Sequence, residues 1–235
     1  MNALTDSQRA KLAQRLSRSR GGQDRGEADP DVLAALSIPE RGPRESALVN
    51  ALAHARVLLP VYPHAPRSEE TNNDLVSVDI GSGRRAVAMF SSLAELTRTY
   101  PDARPVPVVA RKLALNALAG PARMLLDGTH VVSRPATAAL AQGDTWLPAW
   151  EDSDLVAKVS ELVADIGIER VGSQAGPAGT SRVLLVLVGD RGLSPRSVIE
   201  EAGRRLRTCE RLVVACDRIE LVPLAGHVLA ESGCE

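Results

Sequence analysis

The chain has 235 residues, 44% of them hydrophobic, which is enough apolar material for one large or two small cores and excludes disorder along the whole length. Only Tyr62, Phe90, Tyr100, Trp146 and Trp150 are aromatic, which argues against a nucleic-acid platform built on stacked rings. With 28 Lys plus Arg against 29 Asp plus Glu, no net field draws the chain to nucleic acid or to an anionic membrane.

Residues 1–45 read as a flexible basic tail and linker with short helices. Thr5 to Gln8 can start a helix carrying only Leu12 and Leu16, and the Gly-rich polar run from Ser17 to Asp29 has linker composition. Between residues 6 and 25, Arg9, Lys11, Arg15, Arg18, Arg20 and Arg25 face only Asp6 and Asp24, the pattern of a solvated arm with weak affinity for polyanions. No apolar leader follows the basic N-terminus, and no run approaches the ~18 apolar residues that span a bilayer. Cys209, Cys216 and Cys234 are odd in number and widely spaced, unlike a disulfide framework, so a reducing cytoplasm is the expected setting.

A first domain is expected over residues 46–150. Apolar residues at helical spacing predict a helix over about 45–55, followed by a buried strand at Val57–Val61. Leu75 to Ile80 alternates with period two, Gly81-Ser82-Gly83 turns, and Arg85 to Phe90 answers as the second arm of a hairpin. Ser92 with Glu95 is a capping-box signature for a helix over Leu93–Thr99. The prolines make Arg104 to Val108 extended, and a helix follows over about Ala110–Ala119. Met124-Leu125-Leu126 and His130-Val131-Val132 are strands around an Asp127-Gly128 turn, and Ser133 caps a helix ended by Gly143.

A second domain is expected over residues 151–235, where the charge changes sign: 10 basic and 14 acidic groups, against 10 and 8 in residues 46–150. Leu155, Val159, Leu162, Val163 and Ile166 predict an amphipathic helix, Ile168–Val171 a strand, Gly172–Thr180 a mobile loop and Val183–Val188 an apolar strand. Val198, Ala202, Leu206, Cys209, Val213 and Cys216 step at helical spacing, predicting one long helix with both cysteines on its buried stripe. Ile219–Leu224 closes an αββαβ unit. The fold class is α+β: two small mixed α/β-sheet domains.

The segments Arg56 to Val61, Ala88 to Ser92, Ala103 to Pro107 and above all Ser133-Arg134-Pro135 through Ala139-Leu140-Ala141-Gln142-Gly143 with Trp146-Leu147-Pro148-Ala149 resemble the SseB family in its two-domain actinobacterial form. The resemblance covers about residues 30–150. That family takes its name from an enhanced-serine-sensitivity phenotype and has no agreed catalytic residues. The resemblance therefore implies an α+β N-terminal domain and little chemistry.

Catalytic signatures are missing from the residues themselves. Gly81-Ser82-Gly83 is a hairpin turn rather than a nucleophile elbow, and His54, His64, His130 and His227 form no His-x-x-x-His pair. A zinc site from Cys216, His227 and Cys234 would have unusual spacing and lack a fourth ligand. The run Gly172 to Ser181 joins two strands and has no Lys before its Ser or Thr, so it is read as a hairpin loop rather than a phosphate loop. No catalytic residue, cofactor or metal is expected. Arg84, Arg85, Arg104, Arg111, Lys112 and Arg134 are candidates for a converging anion pocket, against the plainer reading of solvated arginines in a chain with 25 Arg and 3 Lys. Arg134 is the best placed, at a helix start with free N–H groups. Trp146 and Trp150 are expected either to close the first core or to form a docking edge. The candidate interaction or anion-binding residues are thus Arg104, Arg134, Trp146 and Trp150. The expected function is non-catalytic: a cytoplasmic protein–protein interaction or regulatory adaptor module. Its partner would be a protein, a second copy of the chain among the candidates. The alternative is a small-ligand sensor for an amino acid or other anion.

Overall fold

The computed structural model describes residues 25–62, 75–187 and 194–225. The expected Thr5–Leu16 helix, most of the basic tail, His64, His227 and Cys234 lie outside them. Packed structure begins at Pro30, earlier in the chain than Ser46: α1 (Pro30–Leu36) buries Val32 and Ala35 in the first core, with Asp29 Oδ1 accepting the Asp31 N–H at 3.0 Å to cap it. Helix α2 (Arg41–Leu52) follows and buries Leu48, Val49 and Leu52.

Strand β1 (Arg56–Val61) pairs antiparallel with β4 (Arg104–Val109). A four-stranded sheet takes β2 (Ser77–Asp79), β3 (Arg85–Met89), β5 (Met124–Leu126) and β6 (His130–Val132) in that order, with the hairpin arms β2 and β3 antiparallel as the alternation predicts. Strands β3 and β5 run parallel, which the crossover through α3 (Leu93–Thr99), β4 and α4 (Ala110–Leu118) makes possible. Backbone bonds between Leu58 and Phe90 tie the two-stranded ribbon to the sheet. Helix α5 (Arg134–Gln142) closes this lobe. Its core is aliphatic, with Leu52, Met89, Leu113, Met124 and Leu126 fully buried, while Phe90 and Tyr100 meet edge to face at 5.6 Å in a side cluster with Leu96.

Two caps differ in detail from the sequence reading. Ser92 Oγ does accept the Glu95 N–H at 3.2 Å, but the Glu95 carboxylate turns outward to Arg98, leaving the capping box half made. Ser133 occupies the N-cap of α5 without a side-chain bond. Gly143 ends α5 at φ +80°, where the Arg111 guanidinium crosses to donate to the Gln142 carbonyl at 2.8 Å; a Cβ at Gly143 would lie 2.2 Å from Arg111 Nη2.

The second lobe is α6 (Ser153–Val163), β7 (Ile168–Ala175), β8 (Ser181–Leu187), α7 (Pro195–Leu206), α8 (Glu210–Ala215) and β9 (Ile219–Ala225), with β8 central, antiparallel to β7 and parallel to β9. Its described core has no aromatic residue; Leu155, Val159, Val163, Leu185, Leu206 and Leu212 fill it.

Two expectations fail here. The loop expected over Gly172–Thr180 is shorter, because Gly172–Ala175 continue β7 in register with Ser181–Leu184; a Cβ on Gly172 would meet Leu184 Cδ1 at 3.5 Å, so the partner strand supplies the cover that the small residues lack. The single long helix is two: α7 stops at Leu206, where Thr208 Oγ1 donates to the Arg205 carbonyl at 2.7 Å, and α8 starts after Cys209. The break re-aims the chain so that Leu212 points inward while Val213, expected on the buried stripe, is exposed. Cys209 and Cys216 are nonetheless buried, as free thiols.

Candidate functional site

The lobes meet along a seam whose centre is Asp217, in the short link from α8 to β9. Arg123, immediately before β5, donates Nε to Oδ2 and Nη2 to Oδ1 of Asp217, both at 2.6 Å, and the Asp217 side chain is 0% exposed. Arg84, at the hairpin turn, lies 3.6 Å from the same carboxylate and donates to the Ala178 carbonyl at 3.2 Å. Arg218 reaches back to Ser82 Oγ at 2.8 Å, and Ser46 Oγ donates to Glu151 Oε1 at 2.6 Å. Planar guanidinium–carboxylate forks hold orientation as well as charge, which suits a joint between two separately packed cores.

The turn at Pro177–Gly179 is pressed against β6. Ala178 and Gly179 are both left-handed, φ +51° and +69°, and a Cβ on Gly179 would sit 3.2 Å from Val131. Beside this turn the seam encloses a cavity of about 30 Å³, bounded by Arg41, Arg44, Glu45, His130, Ser133 and Trp146 among others. Burial pushes the Glu45 carboxyl up to about 7, against the opposing pull of Arg41 and Arg44. Burial, with Arg44 next, lowers His130 below its ordinary value, against the pull of Asp127. Near neutrality the cavity thus holds an imidazole in its neutral form and a carboxyl close to half protonation. Space for one or two waters is all it offers.

Trp146 and Trp150 meet edge to face at 5.5 Å across this joint: Trp146 packs on the first core, and Trp150 Nε1 lies 3.2 Å from where a Cβ on Gly42 would be. Both indole Nε1 atoms are buried and have no hydrogen-bond partner among the described residues. Trp146 thus packs against the first core, and Trp150, half-buried, lies beside Gly42 of α2 near Ala175 of the second lobe. Arg104 is exposed on β4, and Arg134 is exposed at the start of α5. The six cations considered as one anion pocket do not gather: Arg84 is held by Asp217, Arg85 by Ser77 and Arg111 by Gln142, on separate elements.

Sequence reasoning missed Glu45, Arg123 and Asp217. Glu45 opens a predicted helix away from its apolar stripe, Arg123 and Asp217 stand beside predicted elements, and only the docking of the lobes makes them matter. Among the described residues, no group of three or more His, Cys, Asp or Glu side chains is placed to hold a metal ion, and no helix is long and apolar enough to cross a membrane.

Fold and seam together define a two-lobed α+β protein with its first lobe built on a ribbon and a mixed sheet. Residues 31–135 match the family model of the SseB protein N-terminal domain, so the first lobe is a domain of the SseB family. The match begins at the first residues of α1 and ends just inside α5. Neither a curated protein nor a solved structure matches the chain.

Proposed function

We propose that the chain is a non-catalytic binding module whose partner is another protein and whose docking surface lies on the SseB-type lobe. One observation carries this reading: Val109 and Leu115, at the end of β4 and on α4, are 43% and 61% exposed beside the exposed cations Arg111 and Lys112, while Val106, 38% exposed, faces the other side of the ribbon. The seam supports it, because the forked arginines hold two lobes together without consuming that surface. Light scattering on the full chain, alone and with material co-purified from its native host, tests the reading. A complex recovered by the parent chain and lost by Leu115→Glu supports it. A chain that forms the same complexes with and without that substitution contradicts it.

The second reading, sensing of a small anion or amino acid, draws on Arg41, Arg44 and His130 around the seam cavity. Ligand sites commonly enclose ~300 Å³ or more, so an amino acid would enter only if the lobes parted. A thermal-shift screen separates the two readings, since a ligand at about 100 times its dissociation constant stabilises by about 2.7 kcal/mol.

A further inference from the structure

We propose that the β4–α4 surface receives an amphipathic helix of the partner, its apolar stripe flanked by Asp and Glu; this rests on the protein-binding reading above and adds the shape and charge of what binds.

The shape follows from the backbone of β4. Leu58 directs both its N–H and its carbonyl to Phe90, at 2.8 and 2.9 Å, and so away from β4. Its register partner Pro107 therefore forms a pair without hydrogen bonds to β1, and the imide nitrogen of Pro107 faces the edge that carries no further strand among the described residues; Pro105, two residues earlier and opposite Pro60, faces the same way. The Ala110 N–H, of opposite parity, bonds inward to the Ala55 carbonyl at 3.0 Å, consistent with that assignment. Proline has no N–H, so the open edge offers carbonyls at 105 and 107 and no donor at either. A strand added here would find half of its ladder missing. The apolar side chains remain available, and the occupant that uses side chains alone, with its own backbone bonds already made, is a helix.

The charge follows from the sequence across the same elements. From Ala103 to Leu126 there is no Asp or Glu, while Arg104, Arg111 and Lys112 are exposed. On α4 the buried residues Ala110, Leu113, Ala114 and Ala117 define the inner face, and Arg111, Lys112, Leu115 and Asn116 form the outer one. The exposed valines and leucines elsewhere have acidic neighbours: Leu33 follows Asp29 and Asp31, Leu93 precedes Glu95, Leu147 lies between Asp144 and Glu151, and Val213 and Val214 follow Glu210. Among the exposed valines and leucines only Val109 and Leu115 have cations and no carboxylate within four positions, Val106 standing four residues after Asp102. Arg111 is already fixed by its bond to Gln142, so part of the ordering cost of a charged contact is met before binding. Such a surface favours a partner that brings carboxylates beside leucine-type residues and repels a basic one.

The test is selection from a random peptide library, displayed as segments of about 16 residues, long enough for roughly four helical turns. The full chain serves as bait, with counter-selection on Leu115→Asp and on Lys112→Glu. The expected result is enrichment of peptides with apolar residues at helical spacing and a net negative charge, losing at least about tenfold in affinity to either variant and weakening with salt. Unchanged melting temperature and circular dichroism qualify each variant as folded; if Leu115→Asp does not fold, Lys112→Glu decides the matter alone. Peptides specific for this surface that are basic, uncharged or alternating in the manner of a strand would overturn the acidic-helix proposal while leaving protein docking standing. Peptides that ignore both substitutions, or none at all, would overturn both. Light scattering on the same bait adds one outcome: a dimer abolished by Leu115→Asp assigns the surface to a second copy and overturns the proposal.

Discussion

Arg123 and Asp217 stand 94 positions apart in the chain and are joined by two hydrogen bonds of 2.6 Å across the seam between the lobes. One carboxylate, fully withdrawn from water, answers to the forked donor of the opposite lobe. Cutting the fork leaves that carboxylate buried, without its two hydrogen bonds and with only the Arg84 guanidinium, 3.6 Å away, to balance its charge. Arg123→Ala is therefore expected to destabilise the chain by about 3–5 kcal/mol, read as a shift in the urea midpoint, whereas Arg182→Ala, which removes an exposed pair with Glu220, should cost under about 1 kcal/mol. Equal effects would mean that the seam contributes no more than a surface ion pair.

Stability near neutrality should depend on Glu45. Its folded value, about 7, lies above the ordinary 4.5, so its contribution is complete below about pH 4.5 and is lost as pH rises through 7. The parent chain should thus lose up to roughly 3 kcal/mol between those limits, and Glu45→Gln should not. His130 works in the opposite direction: its value is lowered, so its contribution is present above its ordinary 6.5 and lost as pH falls. In the Glu45→Gln variant, acid-side loss alone should remain in unfolding curves taken across this range.

The chain's only tryptophans, Trp146 and Trp150, lie at the seam, and Trp146 bounds the cavity that holds Glu45. Intrinsic fluorescence is therefore expected to titrate with a midpoint near pH 7, and Glu45→Gln should flatten that titration. A titration that survives the substitution would place the responsible proton elsewhere.

Much of the fold was legible in the sequence because the first lobe is written in strong local signals. Ser92 with Glu95 and Gly143 each marked an element boundary that the structure keeps, and the prolines at 105 and 107 marked the extended segment that becomes β4. The second lobe was less legible where long-range pairing decides the outcome. Gly172–Ala175 have loop composition but become strand because β8 lies alongside, and the 198–216 stripe reads as one helix until burial of Leu212 requires a break. The seam was illegible for a related reason: Arg123 and Asp217 are ordinary charged residues until two lobes dock. Of the four candidate site residues, Arg104 falls on the proposed docking surface, Trp146 and Trp150 lie at the seam, and Arg134 is solvated.

The helix break makes its own prediction. Leu212→Ala should cost about 2–5 kcal/mol, since Leu212 is fully buried, while Val213→Ala should stay within about 0.5 kcal/mol. The reverse order would restore the single long helix.

Cys216 should be inert. Burial pushes its thiol up, with Ser181 opposing, so alkylation at neutral pH is expected only as the second lobe unfolds. In a Cys234→Ser chain, a thiol reagent added over a urea series should report a reactive fraction that follows the unfolding curve; fast labelling in buffer would show the α8–β9 link to be open.

The most direct measurement of the docking account is site-specific photo-crosslinking in the native host. A photoreactive residue at Leu115 on α4 is compared with one at Val214 on α8, which is 72% exposed and flanked by mixed charge. The account predicts a discrete protein adduct from position 115 that Lys112→Glu suppresses, and none in common with position 214. The same adducts from both positions, or no adduct from 115, would contradict it.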